Sequence, residues 1–159
     1  MKDLKLIVSE VDGVITEHLS YYDELGCRLK GYYMKDFEAI NELKKHFIFA
    51  FVSSDNSVSY NLCRKKNIPF YYGKKSKLKA LKQAMYNYNV TPEEVLYIGS
   101  SFSDLECIQL IPFSMCPYDA VAEVKQIATP LSAMSGTGVL CEVYSYLKEE
   151  IMRKTREES

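Results

Sequence analysis

Apolar residues along this chain gather into short continuous runs, and the stretches between the runs repeat their apolar positions every three or four residues. The runs at 6–8, 47–52, 68–72, 95–98 and 113–116 are mostly apolar and stop at Ser, Gly or Pro, as strands buried on both faces do. Between them, Phe37, Ile40 and Leu43 predict a helix that Asp36 opens and that ends near Lys44, Lys45 and His46. Further helices are expected at 57–66, through Leu78, Leu81 and Met85, at 103–110, at 119–127 and from 138 to about 152. Thr91-Pro92-Glu93-Glu94 has the form of a capping box with Pro at the first helical position, which starts a short helical turn. Strands alternating with helices of about ten residues imply βαβ units and a mostly parallel sheet covered on both faces.

The first run sits in the stretch KLIVSEVDGVIT, residues 5–16, and ends in two carboxylates one residue apart, Glu10 and Asp12, followed by Gly13. The carboxyl edge of a parallel sheet is where open α/β folds keep their ligands. Acids placed there can turn side-chain and backbone oxygens toward one point and hold a hard cation. They can equally be ordinary solvated loop acids. Residues 20–33 alternate around Glu24-Leu25-Gly26 and predict a β-hairpin or flap with Gly26 in the turn.

The 159 residues fit one domain, expected over residues 1–152 with the flap at 19–34 and a charged, mobile tail at 153–159. A formal net charge of −1 gives no electrostatic footprint for nucleic acid or an anionic membrane. The five cysteines are odd in number and form no C-x-x-C pair, which points to free thiols in a reducing compartment and away from a zinc site. The first residues, MKDLK, carry no signal-like segment, and no run reaches the length of a membrane span, so a cytoplasmic location is expected. Tyrosine is frequent at 13, with four in YYDELGCRLKGYY, a composition that suits either packing or a protein interface.

If all strand ends share one edge, Glu10, Asp12, Ser53, Lys77 and residues 100–104 gather there. A phosphate would meet the Ser53 hydroxyl, the Lys77 ammonium and helix N-termini; a cation would meet Glu10, Asp12 and Asp104. The plainer alternatives are that Asp12 and Asp104 cap turns and that Lys74, Lys75 and Lys77 form a solvated basic face.

VSEVDGVIT, FVSSD, GKKSKLKAL and YIGSSFSD, followed by CPYDAVAEVK and SGTG, resemble in order and spacing the haloacid dehalogenase superfamily. The resemblance runs over about residues 5–147. It is narrowest to the capless branch typified by 3-deoxy-octulosonate 8-phosphate phosphatase, together with the carboxyl-terminal domain of animal CMP-sialic acid synthetases. It implies a Rossmannoid three-layer α/β sandwich with a central parallel sheet, a hairpin flap and no large cap domain. It also implies a magnesium-dependent site, with Glu10 at the nucleophile position, Asp12 as general acid and base, Ser53 and Ser54 on the phosphate, and Lys77 as the phosphate-binding lysine. Any metal would fall to Glu10, Asp12 and Asp104.

Several of these positions depart from the family pattern. Glu10 stands where the family has Asp, Ser100 and Ser101 where it has two leading acids, and Ser54-Asp55 where it usually has Gly-Arg. Lys35-Asp36-Phe37 stands for Arg-Asp-Gly and loses a small residue expected beside the substrate pocket. Glu for Asp adds a methylene, and a misplacement of about 1 Å can cost around a hundredfold in rate. Ser100 removes a charge from the metal position, so magnesium is expected to bind weakly or not at all. Asp55 is expected to repel an anion at the mouth. Two functions follow. One is a non-catalytic module in acidic-sugar metabolism that oligomerises, as a homotetramer through the flap, or binds a partner, with residual sugar-phosphate or anion binding at Ser53 and Lys77. The other is an active phosphomonoesterase for an acidic sugar phosphate.

Overall fold

The computed structural model describes residues 3–26 and 28–157. Its centre is a parallel sheet of β1 (Leu6–Glu10), β4 (Ile48–Ser53), β5 (Phe70–Tyr72), β6 (Val95–Ile98), β7 (Phe113–Cys116) and β8 (Thr129–Pro130), in the order β5-β4-β1-β6-β7-β8. A separate antiparallel hairpin pairs β2 (Tyr21–Tyr22) with β3 (Arg28–Leu29), and the Gly26 amide closes its turn on the Asp23 carbonyl. The helices are α1 (Met34–Leu43), α2 (Val58–Lys65), α3 (Lys77–Tyr88), α4 (Leu105–Leu110), α5 (Ala122–Lys125), α6 (Val139–Tyr146) and α7 (Lys148–Glu157). Among the described residues, no helix is long and apolar enough to cross a membrane.

β1 is flanked by β4 on one side and β6 on the other. Chain order therefore reverses at its carboxyl end, and a crevice opens there. Side chains alternate along β1. Ile7 packs with Phe49, Phe51, Leu96 and Ile98 under α1 and α6, while Leu6 and Val8 pack with Val52, Val95 and Tyr97 under α3 and α4. This alternation gives two cores with one sheet between them, and it puts Glu10 on the α3 side. α3 starts at Ser76, whose hydroxyl accepts from the Lys79 amide at 3.3 Å, and stops at Asn89 in the left-handed conformation.

The structure differs from the sequence expectation in several places. Asp36 does not cap α1. It lies inside the first turn, fully buried, with Oδ1 accepting from the Leu140 and Cys141 amides at the start of α6 at 3.0 and 3.1 Å. Phe37, by contrast, enters the larger core with Ile40 and Leu43, as the helical period predicts. The helix expected at 119–127 shrinks to α5, because Asp119 turns its carboxylate to Ser135. The helix expected at 138–152 is two, α6 and α7. Residues 153–157, expected as a tail, continue α7, where Arg153 and Lys154 pair with Asp3 at 3.0 and 2.9 Å.

Candidate active site

Glu10 ends β1 and is 4% exposed. Its position on the α3 face points it at Lys77, the first residue of α3. The Lys77 ammonium donates to Glu10 Oε1 and, at 2.9 Å, to Asp104 Oδ1. Ser100 Oγ donates to the other Glu10 oxygen at 2.9 Å. Both oxygens of the carboxyl at the nucleophile position are therefore occupied by the chain itself.

Asp104 is fully buried and closes the 3-10 turn Phe102–Asp104 on itself. Its Oδ2 accepts from the Ser100 and Ser101 amides, both at 3.0 Å, and from Ser101 Oγ at 3.1 Å. Its Oδ1 takes the phenol of Tyr97 at 2.7 Å as well as Lys77. Asp104 thus caps a turn, the plainer of its two expected readings, and does so within reach of Lys77.

Burial, and after it the charge of Asp104, hold the Glu10 carboxyl well above the usual carboxylate range against the pull of Lys77. Burial opposes the Asp104 charge too, but the facing Glu10 carboxyl, Lys77 and Tyr97 hold Asp104 below that range. Burial alone would lower Lys77, and the two carboxyls more than offset it. The trio sets two buried carboxyls against one ammonium, with ionisation disfavoured at Glu10 and favoured at Asp104.

Asp12 faces a second group of charges. Its Oδ1 accepts from Thr16 Oγ1 at 3.2 Å and its Oδ2 from Lys30 Nζ at 2.5 Å. Lys30 follows β3 in the flap, and its ammonium also donates to Asp55 Oδ2 at 2.8 Å. Arg28, two residues earlier and on the same face, pairs with that same Asp55 oxygen. The other Asp55 oxygen accepts from the Ser57 amide at 3.0 Å and from its hydroxyl at 2.7 Å. The repulsion expected of Asp55 is therefore absent, because two flap cations neutralise it.

Ser53, at the end of β4 and 2% exposed, exchanges hydrogen bonds of 3.1 Å with the backbone of Asp55. Ser54 lines a cavity of 280 Å³ with Lys74, Lys75, Ser76, Lys77 and Ser103. Gly13, at φ +89°, is irreplaceable in this arrangement, since a Cβ there would stand 2.3 Å from Ser100 Oγ and 2.7 Å from His18 Nδ1. The loop is tied from the other side by Ser135, whose hydroxyl donates to the Gly13 carbonyl at 2.7 Å, and by the Gly136 amide, which donates to the Val14 carbonyl at 2.9 Å.

The expected convergence thus divides in two. Glu10, Lys77, Ser100 and Asp104 touch, whereas Asp12 and Ser53 meet through Lys30 and Asp55. Arg28, Lys30 and Tyr97 are given no role by any motif in the sequence. The one legible signal among them is Tyr97, a polar-tipped residue in an aliphatic strand that must find a partner once buried.

The family model for haloacid dehalogenase-like hydrolases matches residues 14–139. The 3-deoxy-D-manno-octulosonate 8-phosphate phosphatase of Haemophilus influenzae is 29% identical over 147 residues, covering 90% of this chain and 82% of that protein. Its cobalt-bound structure overlays with a TM-score of 0.85 at 26% identity, covering 92% of this chain and 88% of that one. The Moraxella catarrhalis phosphatase, solved with magnesium, phosphate and its sugar acid, shares the fold with a TM-score of 0.85 at 22% identity, over 91% and 86% of the two chains. An N-acylneuraminate cytidylyltransferase of Danio rerio is 23% identical over 121 residues, which is 75% of this chain and only 28% of that protein. By the family match over most of its length, and by a capless parallel fold with the motifs in order along it, the chain belongs to the haloacid dehalogenase-like hydrolases, on their octulosonate 8-phosphate phosphatase-like branch.

Proposed function

We propose that this chain is a phosphatase-fold module in acidic-sugar metabolism whose catalysis is lost or strongly impaired, and that it acts by binding an anionic ligand and by self-association. The observation that carries the reading is Glu10, held by Lys77 and Ser100 on both oxygens in a buried place that disfavours its ionised form. A carboxyl with both oxygens engaged is a poor nucleophile, and its extra methylene displaces it from the position an aspartate would take.

The family chemistry implies Mg²⁺, and the donor set here does not suit it. Magnesium needs an octahedron of oxygens with one or two carboxylates among them. Glu10 and Asp104 already share the Lys77 ammonium, Asp104 accepts three further donors at Oδ2, and Ser100 brings no charge. Among the described residues, no three acidic, imidazole or thiol groups stand together as a metal site. The flap supports the association reading: Leu19, Tyr21, Tyr22, Leu25 and Leu29 are all exposed within residues 19–29, and the resemblance implies a tetramer through this element.

An active phosphomonoesterase is the second reading. It is favoured by Asp12, Ser53 and Lys77, which keep the family's residue types at the carboxyl edge of the sheet. The test is phosphate release from a panel of acidic sugar phosphates with excess magnesium, beside a variant carrying Glu10→Asp, Ser100→Asp and Ser101→Asp. The expected result is no turnover in the natural chain and turnover gained in the variant. Turnover in the natural chain that Glu10→Gln abolishes overturns the module reading and establishes the phosphatase. Sedimentation of the natural chain and of Leu25→Asp tests the association, and a natural chain that sediments as a monomer refutes it.

A further inference from the structure

We infer that the flap carries a carboxylate-binding latch, in which Asp55 occupies on Arg28 and Lys30 the place that the carboxylate of an acidic ligand takes. The inference rests on the ligand-binding reading above and adds the chemical class and the gate. Arg28 presents a planar fork of parallel N–H donors that fits both oxygens of one carboxylate. Asp55 uses only half of that fork. Its Oδ2 receives both Arg28 and Lys30, while its Oδ1 is committed to the Ser57 amide and hydroxyl. Arg28 Nε is left buried with no partner among the described residues. A buried donor left unmade is a standing cost to the closed state.

A free carboxylate has no turn to maintain, so it can give one oxygen to Arg28 Nε and the other to the guanidinium edge that Asp55 now holds. Lys30 is suited to remain in place through the exchange, because its side chain is 1% exposed and is shared with Asp12. Asp55 lies two residues past Ser53 and Asp12 two past Glu10, so the latch spans the mouth of the candidate site. A neutral sugar has nothing with which to displace Asp55, and an acidic one has. The closed latch taxes the affinity of every ligand by the fraction of molecules in which it is open.

The test measures binding of 3-deoxy-D-manno-octulosonate, its methyl ester and inorganic phosphate to the full chain by calorimetry, in the natural protein and in Asp55→Asn, Arg28→Gln and the double variant. Asparagine keeps an acceptor for Ser57 while removing the charge. Asp55→Asn is expected to bind the acid about tenfold more tightly and the ester no better, and the gain is expected to vanish in the double variant. Arg28→Gln lies on the flap outside both cores and reports independently of how Asp55→Asn folds; in it, acid and ester are expected to bind alike. The latch is overturned by equal acid affinity in the natural and Asp55→Asn proteins, by no acid binding to either, by a gain shared with the ester, by a gain that survives Arg28→Gln, or by acid binding to Arg28→Gln at natural strength. Inorganic phosphate reads the other half of the site. Phosphate binding that Ser53→Ala abolishes and Arg28→Gln leaves alone keeps the module reading when the latch fails, and absent phosphate binding counts against that reading while the acid arm still decides the latch.

Discussion

Replacing Glu10 by Gln is expected to remove a pH dependence of stability that the natural chain carries. In the folded protein Glu10 keeps its proton above the ordinary value of 4.5, because burial and the charge of Asp104 both disfavour its ionised form. In the unfolded chain it ionises near that ordinary value. Between the two values the folded state binds one more proton than the unfolded state, so raising the pH favours unfolding. The penalty starts near pH 4.5 and grows at up to about 1.4 kcal/mol per pH unit until the folded carboxyl ionises, after which it stays constant. Gln copies the neutral acid in shape and still accepts from Lys77, so the variant escapes the penalty. Urea unfolding of both proteins at half-unit steps from pH 4.5 to 8 reads the difference directly, and the natural chain is expected to lose ground to Glu10→Gln as pH rises. A difference that stays flat with pH would show Glu10 to be an ordinary acid. A natural chain that gains ground would show it to be held ionised by Lys77, which would remove the main support for a silent nucleophile position.

Lys77→Met leaves the Glu10 and Asp104 carboxyls facing one another without a cation, and loss of one partner from a buried ionic group costs about 3–5 kcal/mol; a thermal midpoint that moves by less than a few degrees would refute the buried trio. Gly13→Ala forces a Cβ to 2.3 Å from Ser100 Oγ at a φ of +89°, with an expected cost of about 1–3 kcal/mol, and Ser100→Ala should recover part of it; equal costs in both backgrounds would show that the crowding is not with Ser100. Cys63 and Cys107 have thiols pushed up to about 12 by burial, so iodoacetamide at pH 8 should leave both unlabelled in native protein and modify both in urea, as read by mass spectrometry. Native labelling of either would mean that its core opens locally.

The sheet was legible because its strands are continuous apolar runs with sharp polar ends, and the two cores follow from alternation along β1. β8 was not, since two residues with a proline carry no period of their own. Asp36 illustrates a different limit. Its place before an apolar period reads locally as a cap, but the α6 amides it accepts from lie about a hundred residues away and compete successfully for the carboxylate. The same limit governs the site. Glu10, Ser53, Lys77 and Asp104 sit at ends of strands and helices, where topology alone brings them to one edge. Lys30 and Arg28 reach that edge from a hairpin whose strands pair over two residues each, and no local pattern encodes which acid they meet. Asp55, expected to repel, is for that reason the residue that anchors the flap.

The departures at Glu10, Ser100 and Asp55 are coupled rather than separate losses. An acid at position 100 would aim a third carboxyl at a pocket where Glu10 and Asp104 share one ammonium, an arrangement that only a bound cation could hold together. The Ser100 hydroxyl donates to Glu10 instead, and the two remaining carboxyls share Lys77. At the flap, Arg28 and Lys30 stand against Asp12 and Asp55. A site that turns over phosphate needs cations free to receive it. Here Lys77, Arg28 and Lys30 each already have a carboxylate from their own chain, so an anion that binds any of these three must first displace one. Asp104 is buried and held by five donors, and Asp12 lies against Thr16, whereas Asp55 is the most exposed of the three and the one whose Arg28 fork is left half filled. The physical consequence is a carboxyl edge where Lys77 is enclosed by buried carboxyls, whereas the Arg28 fork at the flap keeps one buried donor without a partner among the described residues.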